Sequence, residues 1–219
     1  MPRPAQNPGT KDSQKWMQVL VNRHPSVLEQ ALQIGPVAWR SPLESDALAE
    51  YWDASFLELL GAPELCDQLS VFWPRSGPRW DALGINKSGA LVLVEAKSHA
   101  HEMLTATAAS ARSLPRIQDA FKKVSTGWGV SITPQWTSEY YQYANRLAHA
   151  FFLNEVCARP AIVVFLHIVS DAQMRGPNSR RDWETIIDAA HHALGVRAKL
   201  PPYVVDAFVD VRSGTPVAA

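Results

Sequence analysis

The most constraining feature of the chain is the nine-residue run Ala161, Ile162, Val163, Val164, Phe165, Leu166, His167, Ile168 and Val169, introduced by Pro160. It does not alternate between apolar and polar residues, so neither of its faces suits water. A continuous run of this kind reads as a central strand covered on both sides. It is also too short to cross a bilayer.

Patterns on either side supply the rest of an α/β domain. Residues 16–33 suit a helix broken near His24 and Pro25, because proline disfavours a helical residue before it. Ser41 and Pro42 followed by Glu44 predict a second helix start, with Leu48, Trp52, Phe56 and Leu59 or Leu60 at helical spacing. Residues 69–73 suit a short strand, and residues 80–86 and 90–97 two more strands joined by a tight turn. A helix resumes near Pro115, with Ile117, Phe121 and Val124 inward and Gln118 and Lys122 on a different face. Thr137 is a candidate N-cap for a long helix reaching residue 156. Residues 181–194 read as helix and 203–211 as an alternating strand, with Asp206 and Asp210 on its polar side. The order is helix, three strands, two helices, strand, helix, strand, which predicts one α/β domain around a mixed sheet. The polar, proline-rich segment 1–12 is expected to be disordered, leaving 13–219 as the domain.

Chemistry concentrates between Trp80 and Lys97. Four apolar residues lead into Glu95, Ala96 and Lys97 at a strand end, and alternation puts Glu95 and Lys97 on one face. Lys87, Ser88 and Gly89 have the form of a three-residue hairpin loop with glycine where φ must be positive. Asn86 then pairs with Ala90, and five steps back Asp81 falls opposite Glu95. Directly paired residues have Cβ atoms about 5 Å apart. Two carboxylates so close repel unless a cation lies between them. Oxygen donors of this type suit Mg2+ or Mn2+, and a nearby Lys97 ammonium would orient water and offset charge on a phosphate.

Asp81 followed by Glu95, Ala96 and Lys97 after an apolar strand resembles the active-site motif of the PD-(D/E)XK superfamily, the restriction-endonuclease-like fold. The named motif has proline where this chain has Trp80. The resemblance implies a mixed β-sheet flanked by helices with an αβββαβ-type core. It also implies Asp81, Glu95 and the Ala96 main-chain carbonyl as metal ligands and Lys97 as the catalytic lysine. Many members add a glutamate from the helix before the strands; Glu50 is the first candidate and Glu44 the second. The activity implied is metal-dependent hydrolysis of phosphodiester bonds in nucleic acid, DNA in the first instance. Two alternatives stand beside it: a catalytically silent nuclease-fold binding module, and a hydrolase or lyase of small phosphorylated molecules.

Further candidates follow the lysine. Ser98, His99, Gln118 and Lys122 are possible substrate contacts, and His101 and Glu102 belong to the same connection. Tyr141, Gln142, Asn145 and Arg146 form a polar-aromatic patch suited either to stacking on bases or to helix packing. Trp80 and Trp128 are kept as candidate stacking platforms. Arg175, Arg180 and Arg181 flank a loop, His191 and His192 read as an exposed pair, and Asp206 and Asp210 as solvent-facing. No nucleophile elbow, Walker sequence or zincin motif is present.

Composition sets the outer limits. Lys plus Arg equals Asp plus Glu at 21 each, so the net charge is zero and the support a basic balance would give nucleic-acid binding is missing. The two cysteines, Cys66 and Cys157, form no disulfide framework and read as buried thiols in a reducing compartment. With no signal peptide and no membrane span in view, the expected location is cytoplasmic; a homo-oligomer stays open.

Overall fold

The computed structural model describes residues 5–196, 200–212 and 215–216. Its elements are α1 (Asp12–Arg23), α2 (Pro25–Leu32), β1 (Val37–Ser41), α3 (Ala54–Leu59), α4 (Cys66–Phe72), β2 (Ala82–Asn86), β3 (Leu91–Lys97), α5 (Leu114–Trp128), α6 (Tyr141–Phe151), β4 (Ala161–Val169), α7 (Arg180–Leu194), β5 (Val204–Asp210) and the two-residue β6 (Thr215–Pro216). One mixed sheet in the order β1-β2-β3-β4-β5-β6 organises them. The pairings β1–β2, β2–β3 and β5–β6 are antiparallel, whereas β3–β4 and β4–β5 are parallel. The two parallel connections run through α5 and α6 and through α7, as parallel strands require.

The apolar run is the central strand its composition demanded. β4 pairs on both edges, and all but Ile162 of its residues are buried. Strand alternation divides the core in two. Leu91, Leu93, Val163 and Phe165 face the layer built from α3 to α7. Val92, Val94, Val164 and Leu166 face Met17, Leu20, Leu28 and Leu32 of α1 and α2. Helices therefore cover both faces of the sheet.

Several local expectations are corrected. Residues 69–73 are not a strand: α4 runs through them, with Leu69 and Phe72 inward at helical spacing. Five apolar and polar residues alone do not separate the two periods. The third strand is instead β1, which the sequence reading passed over. The helix expected over residues 44–60 survives only as α3, because Ala47, Leu48 and Asp53 adopt left-handed φ values of 50°, 54° and 51°. There the chain extends so that Tyr51 can bridge Trp80 in antiparallel fashion, and tertiary pairing overrides helix spacing. Thr137 caps no long helix; it closes a short turn over Pro134–Trp136, and α6 starts at Tyr141. A π-helical turn, Phe152–Val156, ends that segment. Of segment 1–12, residues 1–4 lie outside the described residues, while Gln6 N–H donates to the Ala47 carbonyl at 2.9 Å. Among the described residues no helix is long and apolar enough to cross a membrane.

The hairpin between β2 and β3 has the expected three-residue loop. Asn86 N–H donates to Ala90 O at 3.0 Å, and Gly89 has φ 83°. The Asn86 Oδ1 accepts from Ser88 N, Ala90 N and Ser88 Oγ, which fixes the loop from inside. Ile85 pairs with Leu91 and Ala82 with Val94, so the count set by the loop holds to the end of the ladder. No heavy atom lies within 4 Å of where a Cβ at Gly89 would stand. Replacing Gly89 by alanine should then cost about 1–2 kcal/mol through backbone conformation alone. Urea denaturation checks this, and an unchanged midpoint would contradict the positive-φ turn.

Candidate active site

The sheet brings Glu95 and Lys97 out of the core on the face of Leu91 and Leu93, and α6 covers that face. Every residue of α6 from Tyr143 to Phe151 is buried, Arg146 among them. Glu95 is 2% exposed and Lys97 6%. Charges removed from water this far need partners with good geometry. Glu95 Oε1 accepts from Lys97 Nζ at 2.6 Å. Its Oε2 accepts from Arg146 Nε at 2.8 Å and also from Arg146 Nη2. Lys97 Nζ donates in addition to Gln142 Oε1 at 2.8 Å. The Arg146 guanidinium reaches the Arg79 carbonyl at 2.7 Å and Asn145 Oδ1 at 2.6 Å, and lies 5.0 Å from the centre of the Trp80 ring.

Asp81 stands one residue beyond the last paired position of β2. Its N–H donates to Val94 O at 3.0 Å, and its Oδ2 accepts from Ala96 N–H at 2.7 Å. The carboxylate thus bonds the main chain between Glu95 and Lys97. Burial pushes its carboxyl well above the usual aspartate range; the charges of Glu95 and Glu50 add to this, and Lys97 and the Ala96 N–H offset only part. Glu95 goes the other way. Burial would push it up, but Arg146 and then Lys97 outweigh that and hold its pKa below the ordinary value.

Glu50 joins the group by a route the sequence did not show. It lies on no helix; the Tyr51–Trp80 bridge runs antiparallel, and one step along it Glu50 stands across from Asp81. Its carboxyl is raised by burial and by Glu95, against the opposing charges of Arg79 and Arg146. Glu44 is elsewhere, exposed and 3.5 Å from Arg23. Three carboxylates from three segments therefore act on one another around the end of β3, with Lys97 and Arg146 among them.

The expected substrate contacts fare differently. Ser98 is fully buried, and its Oγ has no partner in the structure; a Cβ on Gly176 would come within 2.1 Å of its carbonyl oxygen. The connection after it folds onto α1, where the Glu102 carboxylate accepts from Ser98 N–H and from Ser13 Oγ. His99 is half-buried, 6.2 Å ring to ring from His101. Gln118 and Lys122 sit on the exposed side of α5, and Lys122 pairs with Asp119 of its own helix at 3.5 Å. The helix that delivers polar groups to the site is α6. Gln142 and Arg146 lie one turn apart on it, a spacing the sequence shows, but only the packing of α6 brings them to Glu95 and Lys97.

Neither tryptophan is an open stacking platform. Trp80 is fully buried against Phe56 and His149, and Trp128 packs on Phe151 and donates to Tyr203 Oη at 3.1 Å. Asp206 is no solvent-facing carboxylate: it holds His167 Nε2 at 2.8 Å. His191 likewise is tied to Tyr143 Oη at 2.7 Å rather than exposed. Asp210 pairs with Arg212 at 3.1 Å. Cys66 and Cys157 are free thiols, half-buried rather than buried.

Among the described residues no group of three or more His, Cys, Asp or Glu side chains is arranged to hold a metal ion as it stands. Both Glu95 oxygens are turned to cationic side chains. No family model matches the chain, and searches of curated proteins and of solved structures likewise found no match.

The opposite shifts of the two acids predict opposite mutant effects. Asp81 is raised, so its protonated form favours the folded state. Metal-free stability should then fall as pH rises from the ordinary aspartate value through the raised one. Asp81→Asn should raise the thermal midpoint at neutral pH and flatten that slope, each kcal/mol recovered appearing as about 2–4 °C. Glu95 is depressed, so its contribution is present above its unfolded value and lost as pH falls through the folded one. Glu95→Gln should cost about 3–5 kcal/mol, since it leaves Arg146 and Lys97 buried with a neutral partner. Calorimetric melting of both variants between pH 4 and 8 checks the pair; equal effects of the same sign would contradict the assignment.

Proposed function

We propose that this protein is a Mg2+- or Mn2+-dependent nuclease of the PD-(D/E)XK type, hydrolysing phosphodiester bonds in nucleic acid, with DNA as the first substrate to try. One observation carries the reading: Asp81 and Glu95 come together at the end of the β2–β3 hairpin, with Lys97 on the face of Glu95 and Glu50 alongside. The order α1 and α2, β1, α3 and α4, β2, β3, α5 and α6, β4, with β4 parallel to β3, is compatible with an αβββαβ-type core of a restriction-endonuclease-like fold that carries α3 and α4 as an insertion between β1 and β2. The donor set also fits the ion. Carboxylate oxygens and a main-chain carbonyl suit hard divalent cations rather than zinc or copper.

Asp81, Glu95, Glu50 and the Ala96 carbonyl would hold the metal, which when bound polarises a phosphoryl oxygen and acidifies water. The chain's own residues do the rest. Gln142 and Glu95 fix the Lys97 ammonium in one place, so it meets an attacking water without losing side-chain freedom at that moment. The Ala96 N–H bond to Asp81 Oδ2 leaves the other carboxylate oxygen for a ligand. A fixed ammonium beside a developing phosphorane charge stabilises it without reorganisation.

A second reading, the catalytically silent nuclease-fold binding module, is favoured by the Arg146 guanidinium on Glu95 Oε2, which fills a position a metal needs. Purified protein incubated with labelled DNA or RNA, with Mg2+, Mn2+ or EDTA, separates the two. The nuclease reading expects metal-dependent cleavage that drops by about 100-fold or more in Lys97→Ala. No cleavage of any substrate, or cleavage indifferent to Lys97, would contradict it.

A further inference from the structure

We infer that Arg146 is an internal cation that holds the metal's place at Glu95 and must give up Oε2 when a divalent ion enters. The inference rests on the metal-site reading above and adds a residue that controls affinity. Glu95 receives Lys97 on Oε1 and Arg146 on Oε2, so no carboxylate oxygen is left free of a cationic donor. Asp81 is engaged differently, by one main-chain N–H on Oδ2. A divalent ion between Asp81 and Glu95 therefore competes with a guanidinium, not with water.

The geometry makes that exchange local. Only the Nε and one Nη2 contact of Arg146 go to Glu95. Asn145 Oδ1, the Arg79 carbonyl and the Trp80 ring hold the same guanidinium independently. Arg146 can lose Glu95 and still have three partners within the core. Lys97 is meanwhile kept in place by Gln142. The carboxylate is thus kept ionised and aimed before metal arrives, at the cost of a positive charge that weakens metal binding.

The test is titration of Mn2+ by calorimetry into the wild-type chain, Arg146→Met, Arg146→Lys and Asp81→Asn. Arg146→Met should bind Mn2+ about tenfold more tightly or better, since a like charge within a few ångströms has gone. Arg146→Lys, which keeps a cation with fewer donors, should fall between, and Asp81→Asn should bind weakly or not at all. Binding by the wild type with equal or weaker binding by both Arg146 variants would overturn the inference and leave the metal site standing. Binding by none would overturn both. A wild-type measurement covers the case in which Arg146→Met does not fold: Mg2+ should shift the Arg146 Nε–H resonance and speed its solvent exchange. An unmoved Nε–H signal at saturating Mg2+ would overturn it.

Discussion

Glu95 buried between two cations is the interaction on which the candidate site depends. A lone carboxylate taken this far from water would cost several kcal/mol and would protonate instead. Lys97 from the same strand and Arg146 from α6 keep it ionised. The partnership also ties the layers together: β3 supplies the acid, α6 the arginine, and the Arg79 carbonyl anchors the guanidinium to the chain entering β2. Apolar side chains of similar volume could pack this interface at no greater cost in stability.

Asp81 supplies the contrast. Its neighbours include the charges of Glu95 and Glu50, and its carboxyl stays above its ordinary range. One acid is thus held ionised by cations, while burial first, and then its acidic neighbours, pushes the other up. The asymmetry has a structural cause: Glu95 meets two cations directly, whereas Asp81 is buried with one main-chain N–H on its carboxylate. On the metal-site proposal, an entering ion would meet Asp81 with one oxygen free of hydrogen bonds and Glu95 with both oxygens engaged.

How much of this was legible in the sequence depends on how local the deciding interaction is. The Lys87–Ser88–Gly89 loop declares its type within three residues, and counting from it holds as far as Ala82 opposite Val94. Asp81, counted opposite Glu95, instead leaves the ladder, its N–H bonding the Val94 carbonyl and its carboxylate the Ala96 N–H. β4 announces itself through composition, because a strand covered on both faces has no room for alternation. Glu50 was named for the right neighbourhood but the wrong element, since only the Tyr51–Trp80 bridge brings it there. Gln118 and Lys122 were read onto the site from the wrong helix: α5 and α6 both lie between β3 and β4, and spacing within each does not say which one crosses the end of β3. Arg146 belongs to the same class of miss. It sits 51 residues from Glu95, and nothing short of the packed α6 pairs them. The 69–73 segment and β1 failed for a simpler reason, being too short for period to separate strand from helix.

The central claim is that Asp81 and Glu95 share a divalent ion, and a crystal structure of the protein soaked in Mn2+ with anomalous data tests it most directly. The account predicts an anomalous peak between the two carboxylates, near the Ala96 carbonyl, with oxygen distances of roughly 2.0–2.3 Å and the Arg146 guanidinium withdrawn from Glu95 Oε2. A map with no peak there, the two acids unmoved and Arg146 still on Glu95, would contradict it.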